Sequence, residues 1–224
     1  MNEENISPTT LYGKVYRICA GQVETLLNYL FYLPFGGYSA FLETCRDFTS
    51  VDEGDLVLDL CCGTGELTVF LATGKPRVKV AGIDISREEV SKAAAKSGGD
   101  SVLFITGTVS DLPITSNRIN KCIVSFGLHH LSAGSRLRTF KEIFRVLSPD
   151  GSLYICDYHT PESRLRRLPV LILSRLDSSR EAYRMVRAGT LLDEIGSTGF
   201  RLERKEILWP GMFQLLEFEK TGIK

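Results

Sequence analysis

Residues 57–68 read Val-Leu-Asp-Leu-Cys-Cys-Gly-Thr-Gly-Glu-Leu-Thr, and Asp84 follows nineteen residues after Gly65 at the close of a second apolar run. An apolar run ending in a carboxylate, a glycine turn, an amphipathic start and a second run ending in an acid describe a strand, a turn, a helix and a strand. In a doubly wound sheet such glycines let backbone amides approach a ligand at a helix N-terminus, and an acid about 20 residues on holds two ribose hydroxyls. The segment therefore commits the chain to an α/β fold with a nucleoside site.

The rest of the chain carries the same alternation, which predicts a mainly parallel sheet covered on both faces. Strands are expected near Leu56–Leu60, Val78–Ile83, Val102–Thr106, Lys121–Phe126 and Ser152–Asp157. Helices are expected near Glu66–Thr73, Arg87–Lys96 and Ser135–Leu147. Ser148-Pro149-Asp150-Gly151 should stop the last of these and turn the chain into the next strand. Helical stretches follow over Ser163–Leu176 and Ala182–Ser197. The runs Arg201–Leu208 and Met212–Phe218 flank a Trp209-Pro210-Gly211 turn too short for a crossover, so they should pair as an antiparallel hairpin.

Ahead of the sheet, Leu11, Val15, Ile18, Gln22, Leu26 and Tyr29 recur at helical spacing, and Tyr38–Phe48 continues after a Pro-Phe-Gly-Gly turn. The apolar stretch 23–42 is interrupted by Glu24, Asn28, Pro34, Gly36 and Gly37, which argues against a membrane span. The 224 residues thus read as a single domain, with an N-terminal helical cap over 1–50, a core over 51–224 and a helical lid insertion over 163–198.

Twenty-seven Lys and Arg balance 27 Asp and Glu, so the chain lacks the electrostatic footprint of a specific nucleic-acid reader. The six cysteines show no C-x-x-C pair and no regular spacing; they read as reduced thiols, with no metal site. Met1-Asn2-Glu3-Glu4-Asn5 lacks the basic start and apolar stretch of a signal peptide, and a cytoplasmic location is expected.

Which nucleoside is bound follows from charge. A pyrophosphate repels carboxylates, yet Asp59 lies just before the turn and Glu66 just after it, and Thr68 stands where a dinucleotide fingerprint has its third glycine. S-adenosylmethionine carries a sulfonium and an ammonium instead, so acids are welcome. The run Asp59-Leu60-Cys61-Cys62-Gly63-Thr64-Gly65 resembles the first motif of Rossmann-like, class I S-adenosylmethionine-dependent methyltransferases, with Cys61 in place of a first glycine. That replacement expects a negative φ at Cys61. Ser125-Phe126-Gly127-Leu128, the helix end Phe144–Gly151 and the N-terminal cap are similar to the ubiquinone/menaquinone-biosynthesis C-methyltransferase group.

The resemblance implies that Asp59, Cys61 and the Gly63, Thr64 and Gly65 backbone hold the methionine end of the cofactor. It also implies that Asp84 holds the ribose and that Ile85 covers an adenine face. Thr108 stands where relatives have Asp or Asn, which shifts adenine recognition toward the Val109 backbone or Asp111. Ser125 and Phe126 would close the pocket near the methyl group, and the product would be S-adenosylhomocysteine.

All three histidines, His129, His130 and His159, follow the fourth and fifth predicted strands, at the edge where such folds bind ligands. Histidine takes a proton from a phenol or enol near neutrality, and His130 and His159 are the favoured bases. Equally ordinary readings make His129 a loop residue and His130 a helix cap. Asp157 suits an orienting carboxylate, a base or a strand-end acid bonded to loop amides.

Tyr12, Tyr16, Tyr29, Tyr32 and Phe35 suit core packing or the wall of an apolar acceptor site. Seven arginines over 164–187 surround an apolar run: a solvated face, or a basic lid that meets an anionic substrate or a membrane surface. The favoured function is methyl transfer to a small lipophilic phenol or quinol-like acceptor. Transfer to oxygen or nitrogen of another metabolite, a noncatalytic cofactor-binding domain and an NAD-dependent oxidoreductase are the alternatives. The sequence leaves the oligomeric state open.

Overall fold

The computed structural model describes residues 32–33, 36–73, 76–97, 99–176, 179–208 and 211–221. The chain divides into two compact units, Met1–Glu43 and Thr44–Lys224. In the first, Tyr32, Tyr38 and Phe41 cluster with ring centroids 4.6–6.1 Å apart. Tyr12, Tyr16, Tyr29 and Phe35 and the helical periodicity before residue 30 lie outside the described residues.

The second unit is built on strands β1 (Leu56–Leu60), β2 (Lys79–Asp84), β3 (Val102–Thr106), β4 (Ile119–Ser125), β5 (Leu147–Tyr158), β6 (Phe200–Leu208) and β7 (Phe213–Lys220). They form one sheet in the order β3-β2-β1-β4-β5-β7-β6. The first five are parallel, and β7 runs antiparallel to both β5 and β6. The central strands are buried on both faces, as the unbroken apolar runs require: Val57, Leu58 and Leu60 of β1, Cys122, Ile123 and Val124 of β4, and Leu153 and Ile155 of β5. At the edge, β6 carries Arg201, Glu203, Arg204, Lys205 and Glu206, charges that discourage a further strand from pairing.

The described helices are α1 (Tyr38–Thr49), α2 (Glu66–Ala72), α3 (Arg87–Lys96), α4 (Ala133–Val146), α5 (Arg164–Leu176), α6 (Arg180–Ala188) and α7 (Leu191–Gly196), with a 3-10 turn at Leu128–His130. Serines start several of them: Ser86 accepts from the Glu89 amide at 3.3 Å and Ser132 from the Ser135 amide at 3.2 Å. Thr139, Phe140, Ile143 and Val146 form the buried stripe of α4. None of these helices is long and apolar enough to cross a membrane.

Most predicted elements are found within a residue or two, with two corrections. The stretch 182–197 is not one helix, because Gly189 adopts φ 70° and ends α6 before α7 begins. Ser148-Pro149-Asp150-Gly151 is not a turn between α4 and a later strand. Strand β5 already starts at Leu147, opposite Ile119, and resumes register at Ser152 opposite Lys121, so the four residues bulge out of a continuous strand. Gly151 leaves little room for a side chain there: a β-carbon would sit 3.0 Å from the carbonyl oxygens of Ile119 and Asn120.

The strand order reverses between β1 and β4. In open α/β sheets the crevice outside the carboxyl ends at this switch is where ligands bind. Asp59, Asp84, Ser125, Asp157 and His159 all fall at or just past those ends.

Candidate active site

The turn after β1 is held by Cys62 N–H donating to the Ile83 carbonyl (3.2 Å) and Gly65 N–H donating to the Cys62 carbonyl (2.9 Å). Cys61 has φ 58°, not the negative value the sequence suggested. The turn demands a left-handed residue where relatives have glycine, and a Cβ there costs about 1–2 kcal/mol. The neighbouring strand accommodates it, since a β-carbon on Gly127 would lie 2.5 Å from Cys61 Cβ and 2.7 Å from its Sγ. Cys61 and Gly127 are thus a matched pair. Burial, reinforced by Asp84 and Asp59, pushes the Cys61 thiol up to about 12, so it is a protonated packing group.

Asp84 folds its carboxylate toward the turn. Its Oδ2 accepts from Gly63 N–H at 2.9 Å and its Oδ1 from Ser86 N–H at 2.8 Å. Gly65 carries φ 78°, and a β-carbon on it would run into the Phe104 ring at 2.5 Å. A β-carbon on Gly63 would meet nothing within 4 Å, so the turn has open space on that side.

Asp59 is buried beneath the turn, and its Oδ2 accepts from Thr68 Oγ1 at 2.6 Å. Burial raises this carboxyl from 3.8 to about 7; the Thr68 bond pulls it down and the charge of Asp84 pushes it further up. Thr68 therefore stands in the third glycine position because its hydroxyl serves Asp59. Glu66 behaves differently from the sequence reading. It accepts from Thr64 Oγ1 and pairs with Lys96 Nζ, which also donates to the Thr64 carbonyl at 3.0 Å. Burial works to raise Glu66, but the Lys96 and Thr64 bonds hold it below its usual value. Its charge is matched, so the negative field at the turn comes from Asp84, joined by Asp59 once that carboxyl loses its proton.

Beyond Asp84, Ile85 is 78% exposed. The Gly107 amide donates to the Asp84 carbonyl at 2.9 Å and brings the next loop alongside. In that loop Thr108 Oγ1 and Ser110 Oγ lie 3.0 Å apart, and Val109 is buried. The loop is braced on α4, where Glu142 accepts from Leu112 N–H at 2.8 Å and Arg145 donates to the Leu112 and Ile114 carbonyls at 3.0 and 2.7 Å.

The ends of β4 and β5 are joined by one carboxylate. Asp157, fully buried, accepts from the amides of Leu128 (3.1 Å), His129 (3.3 Å) and Tyr158 (2.7 Å), and its Oδ1 lies 2.9 Å from His129 Nδ1. It anchors the 3-10 turn and bonds a histidine, the geometry of an orienting carboxylate and of a strand-end acid at once. His129 is itself buried, with its ring against His130 (4.1 Å) and Tyr158 (5.1 Å). His130 is exposed on the same turn. Phe126, at φ 49°, donates its N–H to the Cys156 carbonyl and sets its ring edge-on to Phe213 at 5.2 Å. A bulky side chain held left-handed marks local strain at this edge.

His159 is half-buried, its Nδ1 3.0 Å from the Gly211 carbonyl oxygen and its N–H on the Met212 carbonyl. Because a carbonyl only accepts, Nδ1 carries the proton and Nε2 the lone pair. Burial, with a further push from Lys205, lowers His159 below its usual 6.5 against the raising effect of the Gly211 bond. It is a neutral imidazole at pH 7.

Residues 57–151 match the methyltransferase domain family, a span that contains Asp59, the glycine turn, Asp84 and the β4 loop. The chain carries a methyltransferase domain of the S-adenosylmethionine-dependent kind. A methyltransferase of Synechocystis is 28% identical over 197 residues, covering 87% of this chain and 90% of that protein. The 2-phytyl-1,4-beta-naphthoquinone methyltransferase of Arabidopsis thaliana is 32% identical over 138 residues, 57% of this chain and 51% of that enzyme. This methyltransferase thus spans about half the length of that relative. In fold it is similar to the crystal structure of a SAM-dependent methyltransferase from Aquifex aeolicus, with TM-score 0.61 over 79% of this chain and 88% of that chain at 23% identity.

The residues present fit the cofactor. Asp84 bonds the open side of the turn and Asp59 lies buried beneath it, while Lys96, the cation beside it, is engaged by Glu66 and the Thr64 carbonyl. That field favours an ammonium and a sulfonium over a phosphate. Sequence reasoning missed Thr68 as the partner of Asp59, Gly127 as the counterpart of Cys61, and Phe213 and Tyr158 as walls of the methyltransferase's β4–β5 edge. The first was within reach, since a hydroxyl one helical turn past the glycines stands in a small-residue position. The others pair residues more than 50 positions apart, where no local pattern reports them.

Proposed function

We propose that this methyltransferase acts on a lipophilic phenol or quinol-like ring, with His159 as the base that accepts the ring hydroxyl proton. The carrying observation is the pairing of an aromatic wall, Phe126, Tyr158 and Phe213, with a neutral imidazole fixed in one tautomer at the same sheet edge. The name of the Arabidopsis relative, a naphthoquinone methyltransferase, supports the same acceptor class.

S-adenosylmethionine, when bound, supplies an electrophilic methyl group on a sulfonium. Asp59 would hold its ammonium end, the Gly63–Gly65 backbone its methionine chain, and Asp84 the ribose hydroxyls. Ile85 and the Thr108–Val109 loop would hold the adenine, and Ser125 and Phe126 would close on the methyl group. His159 Nε2 takes the acceptor proton and leaves an electron-rich ring anion. Asp157 acts through position: it holds His129 and the 3-10 turn that carries His130. Alignment of donor and acceptor supplies the remainder, a term that reaches about 7–11 kcal/mol.

The test is turnover of the purified protein with S-adenosylmethionine and three acceptors: an isoprenoid naphthoquinol, a polar catechol and an alkyl amine. Product S-adenosylhomocysteine should form fastest with the naphthoquinol. His159→Gln should lower kcat by about 10²–10⁴-fold with cofactor affinity unchanged, and a preformed phenolate should recover much of the rate. Turnover confined to the amine, or full activity of His159→Gln on a protonated phenol, would overturn the reading.

A further inference from the structure

Helix α5 turns an apolar stripe to solvent. Leu165, Leu168 and Ile172 are 81, 53 and 55% exposed, while Val170 and Ser174 are buried. At about 100° per residue, the three exposed side chains fall within about 60° of one another, opposite Val170 and Ser174. Arg164 and Arg175 flank the stripe on one side, and Arg166 lies farther round on the other, all exposed. Arg167, near the buried face, is used internally: Nε donates to the Pro161 carbonyl at 2.9 Å.

A core helix would bury the three apolar side chains, and a solvated one would have polar residues in their place. The pattern is that of an interfacial helix, whose apolar side chains enter the acyl boundary while flanking arginines reach the headgroups. We propose that the outward face of α5 docks on an anionic lipid bilayer. The occupant follows from charge: α5 carries Arg164, Arg166 and Arg175 exposed and no Asp or Glu, so a second copy presenting the same face would be repelled. An acidic protein partner would match the charge, but side chains that protrude as far as Leu165 suit a fluid surface better than a rigid one. The helix starts five residues after His159, which places the docked face next to the acceptor side in the chain. The inference holds whatever the acceptor is.

The experiment is co-sedimentation of the full chain with vesicles of phosphatidylcholine, alone or mixed with phosphatidylglycerol, without cofactor or acceptor. Binding should require phosphatidylglycerol and fall at high salt. At about fivefold per arginine, Arg164→Ser with Arg166→Ser should weaken it about 25-fold. Leu165→Ser with Leu168→Ser and Ile172→Ser should abolish it while leaving the circular dichroism spectrum unchanged, since all three are exposed. Equal binding of that variant, no preference for phosphatidylglycerol, no binding at all, or self-association that the same substitutions abolish would overturn the proposal.

Discussion

Replacing Asp59 by Asn should make the cofactor-free protein more stable and a worse enzyme. The carboxyl sits beneath the turn with its usual 3.8 raised to about 7, chiefly by burial. A raised value means that its contribution to stability is fully present below 3.8 and is lost as pH rises through about 7. The full difference is about 4 kcal/mol, of which about 2–3 kcal/mol appears between about pH 5 and about pH 8. Asn keeps an oxygen for the Thr68 hydroxyl and has no charge to bury, so urea unfolding should show the variant gaining over the parent by that margin as pH rises. With saturating S-adenosylmethionine the order should reverse, because the ammonium neutralises Asp59 in the parent and binding stabilises only the protein that binds. Calorimetry of the parent near pH 6 should also show heats that depend on the buffer, as the docking ammonium expels the Asp59 proton. A variant no more favoured at about pH 8 than at about pH 5, or binding without proton release, would refute the burial argument.

Gly127→Ala should destabilise by about 1–3 kcal/mol through overpacking against Cys61, and most of that loss should vanish in a Cys61→Gly background, a coupling that a double-mutant unfolding cycle measures. Asp84→Ala should cost about 1.5–3 kcal/mol in cofactor affinity by calorimetry. Arg136 is buried and donates to both oxygens of Glu194 at 2.7 and 2.8 Å. Burial works to raise Glu194, but Arg136 and Thr190 hold it below 4.5. The pair's stability is therefore present above 4.5 and lost as pH falls through the lowered value. Glu194→Ala should cost about 3–5 kcal/mol at neutral pH, a gap that denaturation at acid pH should find narrowed.

Much of the cofactor half was legible because its signals are local. The runs ending in Asp59 and Asp84 alternate with helices at fixed spacing, and the glycines announce the turn. What failed there was a dihedral: the Cys61 side chain gives no warning that its neighbours impose φ 58°. Glu66 was misjudged because its partner, Lys96, arrives from the next helix. The bulge in β5 was hidden because Pro149 and Gly151 look alike in a turn and in a strand that loops out. The acceptor half was less legible throughout. His129 is distinguished from His130 only by Asp157, 28 residues on, and His159 by a carbonyl contributed 52 residues later.

The last strand of the sheet, β7, enters between β5 and β6, and the hairpin leading into it supplies the carbonyls that hold His159. On a ribosome, β1 to β4 are complete once Ser125 has been made, and the following 95 residues take roughly 5–20 s. For that interval the nascent chain owns a cofactor half without its acceptor half. Once β5 has been made, Leu153 and Ile155 lie on an open strand edge until Phe218 and Leu216 arrive, the segment most in need of a chaperone's cover.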